Sequence, residues 1–231
     1  MRNVLARIGI GAATVDTVLP TTTLTQGESV EVRVEMHGGS TEQEVDAVYL
    51  ALKTMYRDDQ EAFGESTERA GGTVSKTRIT EPFTLGPDEE RTVEVTVDVP
   101  RETPVTLGET KVWLDTGLDV SAAVDPDDRD HVDVVPGPHL DALIDALDEL
   151  GFALHAAHCR STGGGFSLAF EQEFDFRPRA GRFADAFDEL ELVATPADHG
   201  LDVALGVDRG EGLVSTVTDG DEECEEFTVT H

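Results

Sequence analysis

The densest group of potential metal ligands in this sequence is an aspartate-rich run, Asp-Pro-Asp-Asp-Arg-Asp-His-Val-Asp, near the middle of the chain. Carboxylates at such spacing could converge on a hard cation such as Ca²⁺. A calcium-binding EF-hand loop, however, needs Gly at its sixth position and Glu at its twelfth, where this run has Asp and Pro. We therefore expect no metal here and interpret the run as a turn whose Asp side chains accept hydrogen bonds from nearby backbone N–H groups. The candidate ligands that this interpretation sets aside are Asp125, Asp127, Asp130 and Asp133.

A second group of metal-ligating types is His155-Ala156-Ala157-His158-Cys159. Zn²⁺ takes three or four such nitrogen and sulfur ligands. On a strand the two histidines would face opposite sides of the sheet. On a helix they would share a face, but a fourth ligand such as His199 would have to arrive by folding. We expect surface histidines and a buried free cysteine rather than a zinc site.

Motifs for cofactor binding and nucleophilic catalysis are weak or missing in the sequence. Gly9-Ile10-Gly11 lacks the third glycine and the strand–turn–helix context of a dinucleotide fingerprint. Ser161-Thr162-Gly163-Gly164-Gly165 lacks the Gly-Lys-Ser/Thr ending of a phosphate loop, and no Gly-x-Ser-x-Gly elbow is present. The sequence therefore predicts a protein that is not an enzyme, with no catalytic residues and no cofactor.

The elements that would position any of these residues are mainly β-strands. Residues 29–36 alternate polar and apolar, as in a half-exposed strand, and residues 92–99 alternate again before Pro100. Residues 45–56 are apolar on both faces, which is typical of a central strand, and residues 110–120 add another strand. No helical period separates these strands, so we predict an antiparallel sandwich rather than a parallel nucleotide-binding sheet.

The best domain boundary is Val135-Pro136-Gly137-Pro138, because two prolines remove backbone donors and fix turns. We predict one β-sandwich domain over 1–135 and a second over 136–231. The second begins with an amphipathic helix at about 139–150, ended by Gly151. The stripe that predicts this helix consists of Leu140, Leu143, Ile144, Leu147 and Leu150. Further strands follow, with Phe170, Phe174 and Phe176 on one parity and Leu201, Val203, Leu205 and Val207 on another inward face.

The composition is strongly acidic. The 231 residues include 48 Asp and Glu but only 17 Lys and Arg, giving a formal net charge of -31, and only three of the basic residues are lysines. Repulsion between so many carboxylates is tolerable at high salt, because the Debye length falls from about 10 Å at 0.1 M to about 3 Å at 1 M. We therefore expect an extreme halophile as the source and a cytoplasmic location. The charge disfavours binding to nucleic acid, and no apolar stretch is long enough for membrane insertion.

Three segments carry a family resemblance: RIGIGAATVDTVL at 7–19, QEVDAVYLALKTMY at 43–56 and WLDTGLDVSAAVDPDDRDHVDVVP at 113–136. Together they resemble the sporulation-control family named after the Bacillus stage 0 protein M. The third segment is the most specific, with a Leu-Asp strand, an Asp-Pro-x-Asp turn and an exit through Val-x-Pro. Weaker matches at 165–178 and 188–193 extend the resemblance over nearly the whole chain. The resemblance implies an arrestin-like fold of two antiparallel β-sandwich domains and supplies no catalytic residues.

The same resemblance implies a non-enzymatic regulatory or scaffold protein. We expect a cytoplasmic adaptor that binds an unknown protein partner in one of two ways. The partner binds either through exposed edge strands such as 29–36, where main-chain pairing could add a strand, or in the cleft between the two sandwiches. One alternative is a divalent-metal-responsive module. Another is a stress or structural homodimer, since sandwich edges pair readily, so a homo-oligomer is also possible.

Overall fold

A computed structural model describes residues 12–58, 68–121, 125–162, 168–179, 183, 188–208 and 225–230. The glycines of the weak motifs, 9–11 and 163–165, lie outside these ranges. The described residues form fourteen strands and one helix, which confirms the predicted mainly β fold with one short helix. The elements are β1 (Thr14–Val18), β2 (Thr23–Thr25), β3 (Ser29–His37), β4 (Gln43–Asp58), β5 (Glu68–Arg78), β6 (Phe83–Leu85), β7 (Glu90–Asp98), β8 (Val112–Val120), β9 (Asp127–Val135), α1 (Pro138–Glu149), β10 (Phe152–Ser161), β11 (Phe170–Pro178), β12 (Glu189–Ala197), β13 (Gly200–Asp208) and β14 (Glu225–Thr230).

The chain divides into two compact units. The first runs to Thr54 and includes Gly71–Thr103 and Lys111–Val135. The second contains Met55–Ala70, Pro104–Thr110 and the chain from Pro136 onward. One boundary between the units therefore falls between Val135 and Pro136. Two shorter segments, 55–70 and 104–110, belong to the second unit although they come earlier in the sequence.

In the first unit, β3 is the middle strand of a three-stranded antiparallel sheet with the order β1–β3–β7. Val32 and Val34 lie opposite Val95 and Val93 of β7, and the buried side of β3 ends at Met36, which is fully buried. The predicted half-exposed strand is confirmed, but the prediction that 29–36 is a sheet edge is wrong. The edge is occupied because β1 pairs with the other side of β3.

The other strands of the first unit form a ladder in the order β4–β8–β9–β2, with β5 and β6 also paired to β4. Apolar residues on both parities of β4 are buried, including Val48, Leu50 and Ala51. This confirms the prediction of a central strand from its continuous apolar sequence. β2 joins β9 in parallel at Thr23–Thr25, whereas β4 pairs with β6 and β8, and β8 pairs with β9, in the antiparallel direction.

The aspartate-rich run is a strand over most of its length, so its interpretation as a turn is wrong. It alternates along β9, with Val132 and Val134 buried and Asp133 exposed between them. Only Asp125 behaves as a turn residue, since its Oδ1 accepts a hydrogen bond of 3.0 Å from the N–H of Val120. Asp127, Arg129 and Asp133 are tolerated in β9 because their side chains lie on the exposed side of the strand.

In the second unit, α1 begins at Pro138 and ends at Glu149, two residues before Gly151, whose φ of 94° allows the chain to reverse. Leu140 and Leu147 of the predicted apolar stripe are buried. Leu143 and Ile144 are half-buried, and Leu150, which follows the helix as its C-terminal cap, is 51% exposed, so the predicted stripe does not extend to Leu150.

Strands β10 to β14 form an antiparallel ladder in chain order, and the end of β4 adds to β10 in parallel at Arg57 and Arg160. One side of this ladder is apolar, with Phe170, Phe174 and Phe176 buried as predicted. Its remaining buried members are Phe152, Ala157, Cys159, Leu190, Leu192, Leu201 and Val203.

The segment 104–110 packs its backbone against β10 and β11. The N–H of Glu109 donates a 3.0 Å hydrogen bond to the carbonyl of Ala157, and the Gln172 side chain bonds to both the N–H and the carbonyl of Val105 at 2.8 Å. Gly108 has φ 59°, and a Cβ there would lie 2.5 Å from the nitrogen of Ala157. Glycine is therefore required both by the backbone angle and by the close approach.

Candidate functional site

A histidine and two carboxylates meet on the side of β10 and β11 opposite the phenylalanine core. Because side chains alternate along β11, Glu173 and Asp175 point away from the side that Phe174 and Phe176 fill. The pairing of the two strands places His158 directly opposite Glu173. We refer to His158, Glu173 and Asp175 as the His158 cluster.

A β-bulge in β10 shapes this site. The register shifts between Leu154 and Ala156, so His155 is the extra residue of the bulge. His155 is close enough to Asp175 to lower the pKa of that carboxyl, although other effects raise it. Cys159 lies opposite Gln172 and is buried on the other side of the sheet from His158. The structure therefore does not assemble His155, His158 and Cys159, and instead joins His158 to two acids of the neighbouring strand.

The His158 cluster is close-packed and mostly buried. His158 Nε2 lies 3.4 Å from Glu173 Oε1, and His158 Nδ1 lies 3.8 Å from Asp175 Oδ2. Arg160 Nη1 lies 2.8 Å from Glu173 Oε2, while Arg160 Nε donates a 3.0 Å hydrogen bond to Glu171 Oε1. The Glu173 side chain is only 9% exposed. The mostly buried carboxylate of Glu173 thus contacts both an imidazole and a guanidinium group.

Burial and neighbouring acids act together on these carboxyls. Burial first, and then the charges of Glu191, Asp175 and Glu171, raise the pKa of Glu173 to about 7, while the charge of Arg160 opposes this rise. Burial also raises the pKa of Asp175, and His158 opposes this shift. The cluster consequently favours bound cations or protons over free carboxylate charge.

A more exposed set of ion pairs extends from the cluster. Arg57 and Arg69 each donate to Oε2 of Glu109, at 3.1 and 3.0 Å. The hydrogen bond and charge of Arg57, followed by the charge of Arg69, lower the pKa of Glu109, and the charge of His158 contributes weakly.

The first unit contains a carboxylate, Asp115, whose pKa is lowered rather than raised. Asp115 of β8 accepts hydrogen bonds from Lys53 Nζ at 2.6 Å and from Arg129 Nε at 2.9 Å. Burial raises its pKa, but the hydrogen bonds from Arg129 and Lys53 outweigh burial, and the net pKa is lowered. The Arg129 guanidinium also lies 4.9 Å from the ring centroid of Trp113, a cation–π distance. We refer to Lys53, Asp115 and Arg129 as the Asp115 cluster.

The four aspartates considered as calcium ligands are dispersed along the chain. Asp127 and Asp133 share one side of β9 but are six residues apart, about 20 Å along a strand. Asp130 lies on the other side, where burial first and then Asp128 and Asp16 raise its pKa to about 7. Asp125 precedes the strand and bonds to Val120. Within the described residues, the group of three His, Cys, Asp or Glu ligands close enough to hold one metal ion is the His158 cluster.

Glu173 and Asp175 are the residues of this site that the sequence interpretation did not single out. The signal for them is their alternation with Phe174 and Phe176, which predicts acids facing away from a core. Their meeting with His158 depends on the register of β10 against β11, which a single sequence does not supply.

No helix in the described ranges has the length and apolar character to cross a membrane.

Comparison with known proteins relates the chain to one family. Residues 1–211 match the family model for the SpoOM protein. The chain is 35% identical over 213 residues to the sporulation-control protein Spo0M of Bacillus subtilis, covering 90% of this chain and 80% of that protein. It is also similar to the crystal structure of Bacillus subtilis Spo0M, with a TM-score of 0.84 and 31% identity over 95% of this chain and 91% of the other. The chain belongs to the Spo0M sporulation-control family.

Proposed function

We propose that this chain is a non-enzymatic regulatory or scaffold protein that acts by binding a protein partner in the cytoplasm. Membership of a sporulation-control family supports a regulatory role. The observation that carries the binding mechanism is β7, which, within the described residues, is paired on one side only, with β3. An open strand edge offers backbone donors and acceptors to an extended segment of another protein.

The residues of β7 are compatible with pairing to a specific partner strand and discourage nonspecific pairing. Val93, Val95 and Val97 face inward, while charged residues such as Glu94 and Asp98 are exposed. Such charges discourage uncontrolled pairing between edges. A hollow of about 360 Å³ beside this strand is lined in part by Arg33, Glu94 and Thr96, so an added segment would meet both charged and polar side chains.

Photocrosslinking at the strand edge tests the proposal. A benzoylphenylalanine replaces exposed Thr96 of β7 in one variant and exposed Asp145 of α1 in a control variant. Both are irradiated in a lysate of the source organism kept at molar KCl. We expect one stoichiometric adduct from position 96 that is missing from position 145. The same adducts at both positions, or none at position 96, would contradict binding at β7.

A homodimer is the second candidate, and β14 is the feature that favours it. In the described part of the second unit β14 ends the ladder, and Phe227 is 42% exposed on it. Pairing of two β14 strands would bury this ring. Light scattering at native salt separates the two candidates, because a mass near 24.9 kDa would exclude a stable dimer.

A further inference from the structure

We propose that His158, Glu173 and Asp175 form a binding site for one divalent transition-metal ion, of which Zn²⁺ is the best match. The proposal is independent of the partner-binding role, because it concerns the sheet face formed by β10 and β11 rather than a strand edge.

The spacing of His158 and Glu173 fits a shared ion, and Asp175 lies close by, with Oδ2 3.8 Å from the other ring nitrogen, Nδ1, of His158. One ligand atom from each lies within 4.8 Å of the other two. Ligands about 2.0–2.1 Å from a tetrahedral zinc are about 3.3–3.4 Å apart, and His158 Nε2 is 3.4 Å from Glu173 Oε1. Since all three residues come from the paired interiors of two strands, their positions are fixed before any ion binds.

Glu173 supplies a second observation that points to a cation. Its side chain is more than nine-tenths buried, and its Oε2 accepts no hydrogen bond of good geometry although Arg160 Nη1 is 2.8 Å away. Arg160 also holds Glu171 through Nε. Glu173 can therefore turn to a metal without leaving Arg160 unpaired.

The described charged groups around the cluster include more acids than arginines, which favours binding of a divalent cation. Among the described residues in and around the cluster, six carboxylates outnumber four guanidinium groups. The carboxylates are Glu109, Glu171, Glu173, Asp175, Glu189 and Glu191, and the guanidinium groups are Arg57, Arg69, Arg160 and Arg177.

The donor set selects among cations. One imidazole nitrogen with two carboxylates suits Zn²⁺ or Co²⁺, whereas Ca²⁺ and Mg²⁺ prefer oxygen ligands throughout. We therefore expect excess Ca²⁺ to leave the bound transition metal in place.

The test uses the full chain without a polyhistidine tag, stripped of metal and kept in molar KCl to suppress weak binding to surface acids. Zn²⁺ is titrated by calorimetry, and Co²⁺ by its visible absorption. We expect one saturable site per chain. His158→Ala and Glu173→Gln should each weaken binding at least about tenfold, since each removes a ligand.

The matched control is His37→Ala. His37 also lies beside a carboxylate, 3.7 Å from Glu90, but this pair is largely exposed. Zn²⁺ affinity unchanged in His37→Ala and lost in the cluster variants supports the site. Many weak sites, equal affinity in Glu173→Gln, or equal loss in His37→Ala would overturn it. Circular dichroism confirms that each variant is folded, and Glu173→Gln preserves side-chain volume if His158→Ala does not fold.

Discussion

The Asp115 cluster and the His158 cluster place carboxylates in the same architecture with opposite electrostatic results. In each, an acid on one strand faces a basic side chain on its antiparallel neighbour, Asp115 opposite Arg129 and Glu173 opposite His158. Two cations bond to Asp115, and its pKa falls below the usual value. Glu173 is mostly buried and shares its face with three other acids, and burial first and then these acids raise its pKa to about 7. The difference indicates that burial and local neighbours, rather than the overall charge of -31, decide the state of each carboxyl.

The largest expected effect comes from Gly108, the glycine beside the His158 cluster. Gly108→Ala places a methyl group against the backbone of Ala157 and forces a residue with φ 59°. We expect a loss of about 3 kcal/mol in the free energy of unfolding, because the clash and the strain add. Gly117→Ala, on β8 near Asp115, is the control, since its added Cβ meets nothing within 4 Å. Urea unfolding curves of equal midpoint for the two variants would contradict this difference.

A smaller loss is expected from neutralising the acid of the Asp115 cluster. Asp115→Asn removes two charge-assisted hydrogen bonds and should cost about 2 kcal/mol at neutral pH. Because the folded pKa is depressed, the stabilisation is present above the unfolded pKa of about 3.8 and is lost as the pH falls through the folded value. The unfolding curves of the variant and the wild type should therefore converge in acid.

The exposed Asp119 of the same strand provides the control for this substitution. Asp119→Asn should change stability by less than about 0.5 kcal/mol, as expected for an isolated surface change. A similar loss in both variants would mean that the ion pairs of Asp115 contribute nothing specific.

The smallest expected effect is a gain in stability rather than a loss, and it comes from Asp130 of β9. Asp130 has a pKa raised to about 7, first by burial and then by Asp128 and Asp16. Its protonated form stabilises the fold fully below the unfolded value of about 3.8, and this contribution is lost as the pH rises through 7. Asp130→Asn should thus gain about 1 kcal/mol over the wild type at about pH 8, after allowance for solvent screening, and nothing near pH 4.

Thermal unfolding across this pH range checks the Asp130 prediction. A gain that does not depend on pH would show that the amide improves packing rather than removing a charge. A loss at about pH 8 would show that the charged form of Asp130 is stabilised in the fold.

The sequence predicted strand positions well and strand neighbours poorly. The alternation in 29–36 and the two-sided apolar run in 45–56 identify β3 and β4, because side-chain period reports burial directly. The same alternation does not reveal which strands pair, and β3 was predicted as an edge although it has β1 and β7 on its two sides. Residues 125–133 were predicted as a turn because aspartate is common in turns, and the pairing of residues 127–132 with β8 overrides that preference.

The candidate site shows the same limit. The two histidines and the alternating acids were visible as separate patterns, yet only the register of β10 with β11 brings His158 to Glu173. The bulge at His155 has no recognisable signal in the sequence, because the extra residue is an ordinary histidine rather than a glycine.

The close approach of Gly108 to Ala157 also bears on how copies of this chain can assemble. That contact and the pairing of Arg160 with β4 occupy the side of β10 that β11 leaves free, so β14 is the end of the second-unit ladder that remains available among the described strands. A filament built by adding ladder to ladder needs a free acceptor at both ends. Because the other end of this ladder is covered, self-association through β14 alone would close after two copies, as a symmetric pair, and would not propagate into a fibre.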